Sequence, residues 1–216
     1  MSRDPRSRRS VLASLAAAGA VLPRQASAQA PPPAAFTPVR HQVDAWLDER
    51  PARHRVVLDV TTAAGMPDAV RFAGNLFTGH KTGYGLDDGD LTQVICLRHY
   101  AMVFALNDTV WAAHGPALAK AVRYTDPRGG GAPTANPYNS GQRRQLADLA
   151  ARGVRFMVCE TASRTFSRLV AGQGGDADAL FATFGANLIP EARYVSAGVV
   201  GVSHAQEYGY SLLFVG

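Results

Sequence analysis

Three short runs constrain this chain more than anything else in it. "RVVLDVTT" (55–62), "TQVICL" (92–97) and "VRFMVC" (154–159) are apolar on neighbouring residues rather than on alternate ones. A strand with one wetted face alternates apolar and polar side chains, so a near-continuous apolar run has to be covered on both faces. Between the runs the spacing is helical. "DAVRFAGNLFTGH" follows Pro67, a good first helical residue, and sets Val70, Ala73, Leu76 and Phe77 along one face. The segment continuing from the second run, "RHYAMVFA" (98–105), is read with it as strand-like at its start. "YNSGQRRQLADLAARG" (138–153) reads as a helix closed by Gly153, and "ADALFATFGANLI" as a further helix. "ARYVSAG" reads as a fourth strand, "VGVSHAQEYG" as a short helix and "YSLLFVG" as a last strand. Strands that alternate with helices close into a sheet between helix layers. The expectation is an α/β protein: a three-layer α/β/α sandwich on a mostly parallel five-stranded sheet.

That architecture also says where a site should lie. In open α/β sheets ligands bind beyond the carboxyl ends of the strands. The positions to inspect are Thr61 and Thr62, the segment from Arg98 and His99, then Cys159 and Glu160, and lastly Ser196 to Gly198.

The first residues carry a different signal. "SRRSVLASLAAAGAVLPRQASAQA" has paired arginines, Arg8 and Arg9, then an apolar run from Val11 to Leu22, then the small-x-small triplet Ala26-Ser27-Ala28. A run of 12 residues is too short for a bilayer that needs about 20. Paired arginines ahead of an Ala/Gly-rich core resemble the twin-arginine export signal. The pattern predicts a signal peptide over residues 1–28, cleaved after Ala28, and a mature protein in the periplasm with no membrane anchor. Residues 29–52 then read as a Pro/Ala-rich tether and a short arm in which Val43, Trp46 and Leu47 share one face, and 53–216 as the folded domain. Of 22 basic and 17 acidic side chains, five arginines and one aspartate fall in residues 1–28. The remainder carries 17 against 16, so a formal +5 becomes +1, and the case for nucleic-acid binding goes with it.

"RYTDPRGGGAPTANPYNSG" (123–141) is a long Gly/Pro loop, a lid, a subunit contact or a solvated excursion. It is no phosphate cradle, because no Lys-Ser/Thr pair follows the glycines and no strand feeds them. No cofactor fingerprint and no local metal-ligand spacing occurs, so neither a cofactor nor a metal is expected; a non-local set from His99, Cys159 and His204 is conceivable.

Cys159 is the sharpest candidate. It ends an apolar run just where a helix should begin, with Thr161 or Ser163 available as a cap. Backbone N–H groups at a helix start favour an anion, and therefore a thiolate. Arg164 adds positive charge and Glu160 opposes it. The alternative is a buried small hydrophobe, the usual state of a free cysteine. His99 sits beside Arg98 where the second strand runs out, on a strand that neighbours the one ending in Cys159, so an imidazolium there could hold a thiolate. Asn107 and Asp108 either bind a ligand or cap the helix through Trp111. Cys96, inside the second run, reads as packing.

These residues carry a family resemblance. "ARGVRFMVCETASR" resembles the Gly-Val-apolar-Cys segment of the DsrE/DsrF-like family, which includes YchN-like and TusD-like proteins and sulfur-relay subunits. "YVSAGVVGVSHAQEYGYSLLFVG" is similar to that family's C-terminal Ser-x-Gly turn, short helix and closing strand. "HRVVLDVTTAAGMPDAVRFAGNL" is placed like its first strand and helix. The resemblance covers roughly residues 53–216. It implies a parallel five-stranded sheet and assembly into trimers or hexamers. It also implies that Cys159 is the cysteine on which relay members carry a persulfide, taken from a donor protein and passed to an acceptor. The catalytic pair expected is Cys159 and His99, with Arg98, Glu160, Thr161, Ser196, Gly198 and Asn107 as binding residues. The alternatives are a non-catalytic oligomeric module that binds a small ligand or a protein, and a metal- or haem-binding periplasmic protein.

Overall fold

The computed structural model describes residues 36–127, 129 and 131–216. The expected export signal, residues 1–28, lies outside the described residues, as does the tether up to residue 35. Residues 38–216 form one compact unit.

The apolar runs form the sheet. β1 (His54–Val60), β2 (Leu91–Leu97), β3 (Arg155–Cys159), β4 (Ala192–Val195) and β5 (Ser211–Val215) pair in the order β4-β3-β2-β1-β5, every pair parallel. Parallel strands need crossovers, supplied by α1 (Met66–Tyr84), α2 (Asp108–Ala121), α3 (Gln145–Ala151), α4 (Glu160–Ala171), α5 (Ala177–Ala186) and α6 (Gly198–Glu207). The expected α/β/α sandwich and five-stranded sheet are present.

The pleat divides the core in two. Leu58, Val60, Ile95, Leu97, Phe156 and Val158 face the larger cluster, filled by side chains of α1 to α5 such as Phe77, Trp111, Leu149, Phe166 and Phe184. Their neighbours Val57, Val94, Cys96 and Met157 face a smaller cluster with Val202 and Ala205 of α6 and Trp46 and Leu47 of the arm. The arm is a 3-10 helix over Gln42–Asp48 that buries Trp46 and Leu47 and leaves Val43 exposed. The buried Arg155 side chain donates to the Trp46 carbonyl, and the Tyr210 hydroxyl donates to the Leu47 carbonyl at 2.8 Å. Among the described residues, no helix is long and apolar enough to cross a membrane.

Two elements differ from the sequence reading. The second strand stops at Leu97, and His99–Ala105 is a 3-10 helix, apolar and buried from Ala101 to Ala105. The helix expected over 138–153 is helical only from Gln145 to Ala151. Its intended start is held otherwise: Ser140 and Arg143 form a bridge, Gly141 sits at φ +58°, and Asn139 Oδ1 accepts the Ala147 N–H at 2.8 Å.

The Gly/Pro loop is not a solvated excursion throughout. Asn136 is buried, and its Nδ2 donates to the carbonyls of Phe104 at 2.8 Å and Leu106 at 2.7 Å, which close the 3-10 helix. Its Oδ1 accepts the Tyr138 N–H at 2.9 Å, and its own N–H reaches Asp108 Oδ1 at 2.8 Å. The Pro133 carbonyl lies so close to Gly115 of α2 that a Cβ there would meet it at 2.0 Å.

Candidate functional site

The register brings four strand ends to one edge. Val60 is level with Leu97, Leu97 with Val158, and Cys159 with Val195. Past these ends lies a cavity of about 480 Å³. Of the eight residues expected from the sequence, five line it: Arg98, His99, Cys159, Thr161 and Gly198.

Cys159 ends β3 and is itself the N-cap of α4. Its Sγ accepts the Ala162 N–H at 3.4 Å, which supplies one of the acceptors that a helix start leaves wanting. The sequence reading offered Thr161 or Ser163 as that cap; both are engaged elsewhere. Thr161 donates to the Ser196 carbonyl at 2.9 Å, and the buried Ser163 hydroxyl bonds the Tyr194 hydroxyl at 2.7 Å. Arg164 and Glu160 neutralise each other across one helical turn, at 2.8 Å. Cys159 is 7% exposed, so it is reached through the cavity.

Arg98 is fixed from two sides. Its Nε and Nη2 donate to the two carboxylate oxygens of Asp59 at 2.6 and 2.8 Å, a bidentate pair that holds the guanidinium charged. Gly198 supplies the other side: a Cβ there would lie 2.5 Å from Arg98 Cβ. Asp59, buried in β1, is a charged residue of the site that sequence reading does not single out. Its only signal was a carboxylate inside an apolar run, where a partner is obligatory.

His99 turns the chain out of β2. It lies at φ +50°, and the amides flanking it are tied to β1's end, Arg98 N–H to the Val60 carbonyl at 3.1 Å and Tyr100 N–H to the Thr61 carbonyl at 3.0 Å. Histidine tolerates this left-handed region better than bulkier residues do. The imidazole is exposed at the cavity's edge and packs on the Tyr100 ring, 4.1 Å between centroids. Tyr100, Ala162, Phe166, Leu169 and Val199 are also in its wall. The α4 residues among them follow helical spacing, but nothing in their own pattern distinguishes a stripe facing a cavity from one packed in a core.

The other three expected residues lie elsewhere. Glu160 and Ser196 line a second cavity of about 390 Å³ on the far side of the β4–α6 turn. There His204 Nδ1 meets Asp44 Oδ2 at 2.7 Å and its ring stacks on His41 at 5.5 Å, so His204 is not grouped with His99 and Cys159. Asn107 lines neither cavity: it caps α2, its Oδ1 accepting the Thr109 N–H at 3.0 Å, while its Nδ2 donates to Asn187 at 3.3 Å. Thr62 is bonded to the Gly216 carbonyl. Among the described residues no three His, Cys, Asp or Glu side chains are grouped to hold a metal.

Cys96 is the contrasting thiol. It is fully buried, its Sγ 3.7 Å from the Gly198 carbonyl, and burial pushes its ionisation far up, with Asp59 adding to the effect. Both cysteines are free thiols.

No family model matches this chain, and no curated protein does. Among solved structures it is similar to a protein of unknown function from Methanobacterium thermoautotrophicum. The identity is 15% over 74% of this chain and 98% of that one, with a TM-score of 0.42.

Proposed function

We propose that this is an exported DsrE-like sulfur carrier that holds sulfane sulfur as a persulfide on Cys159. The observation that carries the reading is Cys159 as the N-cap of α4 opening on a cavity, with a backbone N–H directed at its sulfur and Arg98 and His99 in the same wall. The thiolate attacks the outer sulfur of a persulfide donor; an S–S bond to Cys159 forms, the donor's S–S bond breaks, and the donor leaves as a thiolate. An acceptor thiolate then takes the same sulfur by the same exchange, with no net oxidation. His99 brings an imidazole to the cavity edge beside Arg98. In this reading the work is done in the periplasm, supported by the resemblance of residues 1–28 to a twin-arginine export signal, and assembly into trimers or hexamers follows the family pattern.

Intact mass after treatment with inorganic polysulfide and desalting tests the reading. The wild type and Cys96→Ser gain sulfur, and the gain is removable by a reductant; Cys159→Ser gains none. A wild type that takes up no sulfur, or a Cys159→Ser variant that takes up as much, sinks it. In that case the cavity belongs to a non-catalytic binding module, the second reading, which its size favours.

A further inference from the structure

The cavity has a chemical character that the thiol alone does not set. Its floor is the buried Phe166, with Tyr100 against it edge-on at 6.4 Å, and its rim carries Leu169 and Val199, 58% and 59% exposed. Large aliphatic side chains left open at the mouth of a concave site are characteristic of ligand-binding surfaces. At about 480 Å³ the cavity falls within the range of about 300–1,000 Å³ typical of sites for organic ligands.

Charge points the same way. Arg98 is the one arginine or lysine among the lining residues, and both oxygens of Asp59 are already on its guanidinium. The pair presents little net charge to an incoming anion. A doubly charged inorganic donor would give up its hydration to meet aromatic and aliphatic walls, a loss that the His99 imidazole at the exposed edge and an α4 N–H already taken by Cys159 Sγ offset little. A neutral aryl or alkyl group gains by the same transfer.

We infer that the cavity takes the neutral, apolar carrier group of an organic persulfide, and so selects aryl or alkyl persulfides over anionic inorganic donors such as thiosulfate. This rests on the sulfur-carrier reading of Cys159. In the step it favours, the Cys159 thiolate attacks the outer sulfur of R–S–SH, Cys159–S–SH forms, and R–S⁻ leaves.

Two measurements test it on the full chain. The first is sulfur loading of Cys159 from benzyl persulfide against thiosulfate, followed by mass. The second is calorimetric binding of benzyl methyl sulfide, which cannot donate sulfur, to the wild type and to Cys159→Ser. Loading from benzyl persulfide is expected to be faster by about tenfold or more, the scale on which an apolar pocket discriminates. Leu169→Gln and Val199→Asn, which replace apolar rim surface without adding charge, are expected to shrink that preference by slowing loading from benzyl persulfide, and to weaken sulfide binding by a similar factor. Saturable sulfide binding is expected in both the wild type and Cys159→Ser. Equal or faster loading from thiosulfate, a preference that both rim substitutions leave undiminished, or no sulfide binding overturns the inference. Sulfide binding without loading from any donor overturns donor selection together with the carrier reading, and leaves an apolar ligand site. Loading without sulfide binding does the reverse.

Discussion

At the scale of single residues, Cys96 and Cys159 show how far position decides chemistry. Both follow apolar stretches, and only the register separates the packed thiol from the one at a cavity. That Cys159 ends a strand was legible, because "VRFMVC" is followed by a polar, helix-compatible "ETASR". The ion pair beneath it was not, because Asp59 and Arg98 stand 39 residues apart and meet only once β1 and β2 are aligned. Gly198 joins the two levels, since its missing side chain is the space that Arg98 occupies. Gly198→Ala would place a Cβ 2.5 Å from Arg98 Cβ, an atom fixed to the backbone that cannot swing away. The expected result is a loss of about 1–3 kcal/mol in urea denaturation, the usual cost of overpacking. Wild-type stability in that variant would mean the helix start is free to shift and does not clamp Arg98.

At the scale of elements, the sequence served strands better than the pieces joining them. A buried strand advertises itself in its own residues, whereas a loop's conformation is set by partners far along the chain. "RHYAMVFA" has the apolar content of a strand and becomes a 3-10 helix because His99 turns the chain and Asn136, about 30 residues on, caps the carbonyls at its end. The same asparagine makes an ordered wall of the segment around it. Asn136→Ala leaves the Phe104 and Leu106 carbonyls without these donors and the Tyr138 N–H without its acceptor. A loss of about 2–3 kcal/mol is expected, the scale for buried polar groups stripped of partners. Gln142→Ala, at an exposed position of the same loop, is expected to stay within about 0.5 kcal/mol. Equal effects of the two substitutions in chemical denaturation would return the loop to a solvated role.

At the scale of the whole molecule, the sandwich is lopsided. Five helices cover one face of the sheet, while the other rests on α6 and the arm. Trp46 and Leu47 therefore complete a layer, and the fastening between the arm and β5's entrance is Tyr210, whose hydroxyl is buried against the Leu47 carbonyl. Burial raises that hydroxyl's ionisation from 10.0 to about 12, with Arg55 and Arg155 opposing the shift. The folded state holds the proton more tightly than the unfolded chain does. Its contribution is thus complete below pH 10.0 and is lost as pH rises through about 12. Tyr210→Phe removes both the hydrogen bond and the titration. Near pH ~8 the variant is expected to be less stable by about 1 kcal/mol, for the carbonyl it leaves bare. Because phenylalanine has no proton to lose, the wild type should decline more steeply from pH ~10 upward, and the gap between the two should close. Urea midpoints measured across that range decide the matter: a gap that stays constant would mean the arm opens before Tyr210 ionises, and that the thin layer is not fastened at this hydroxyl.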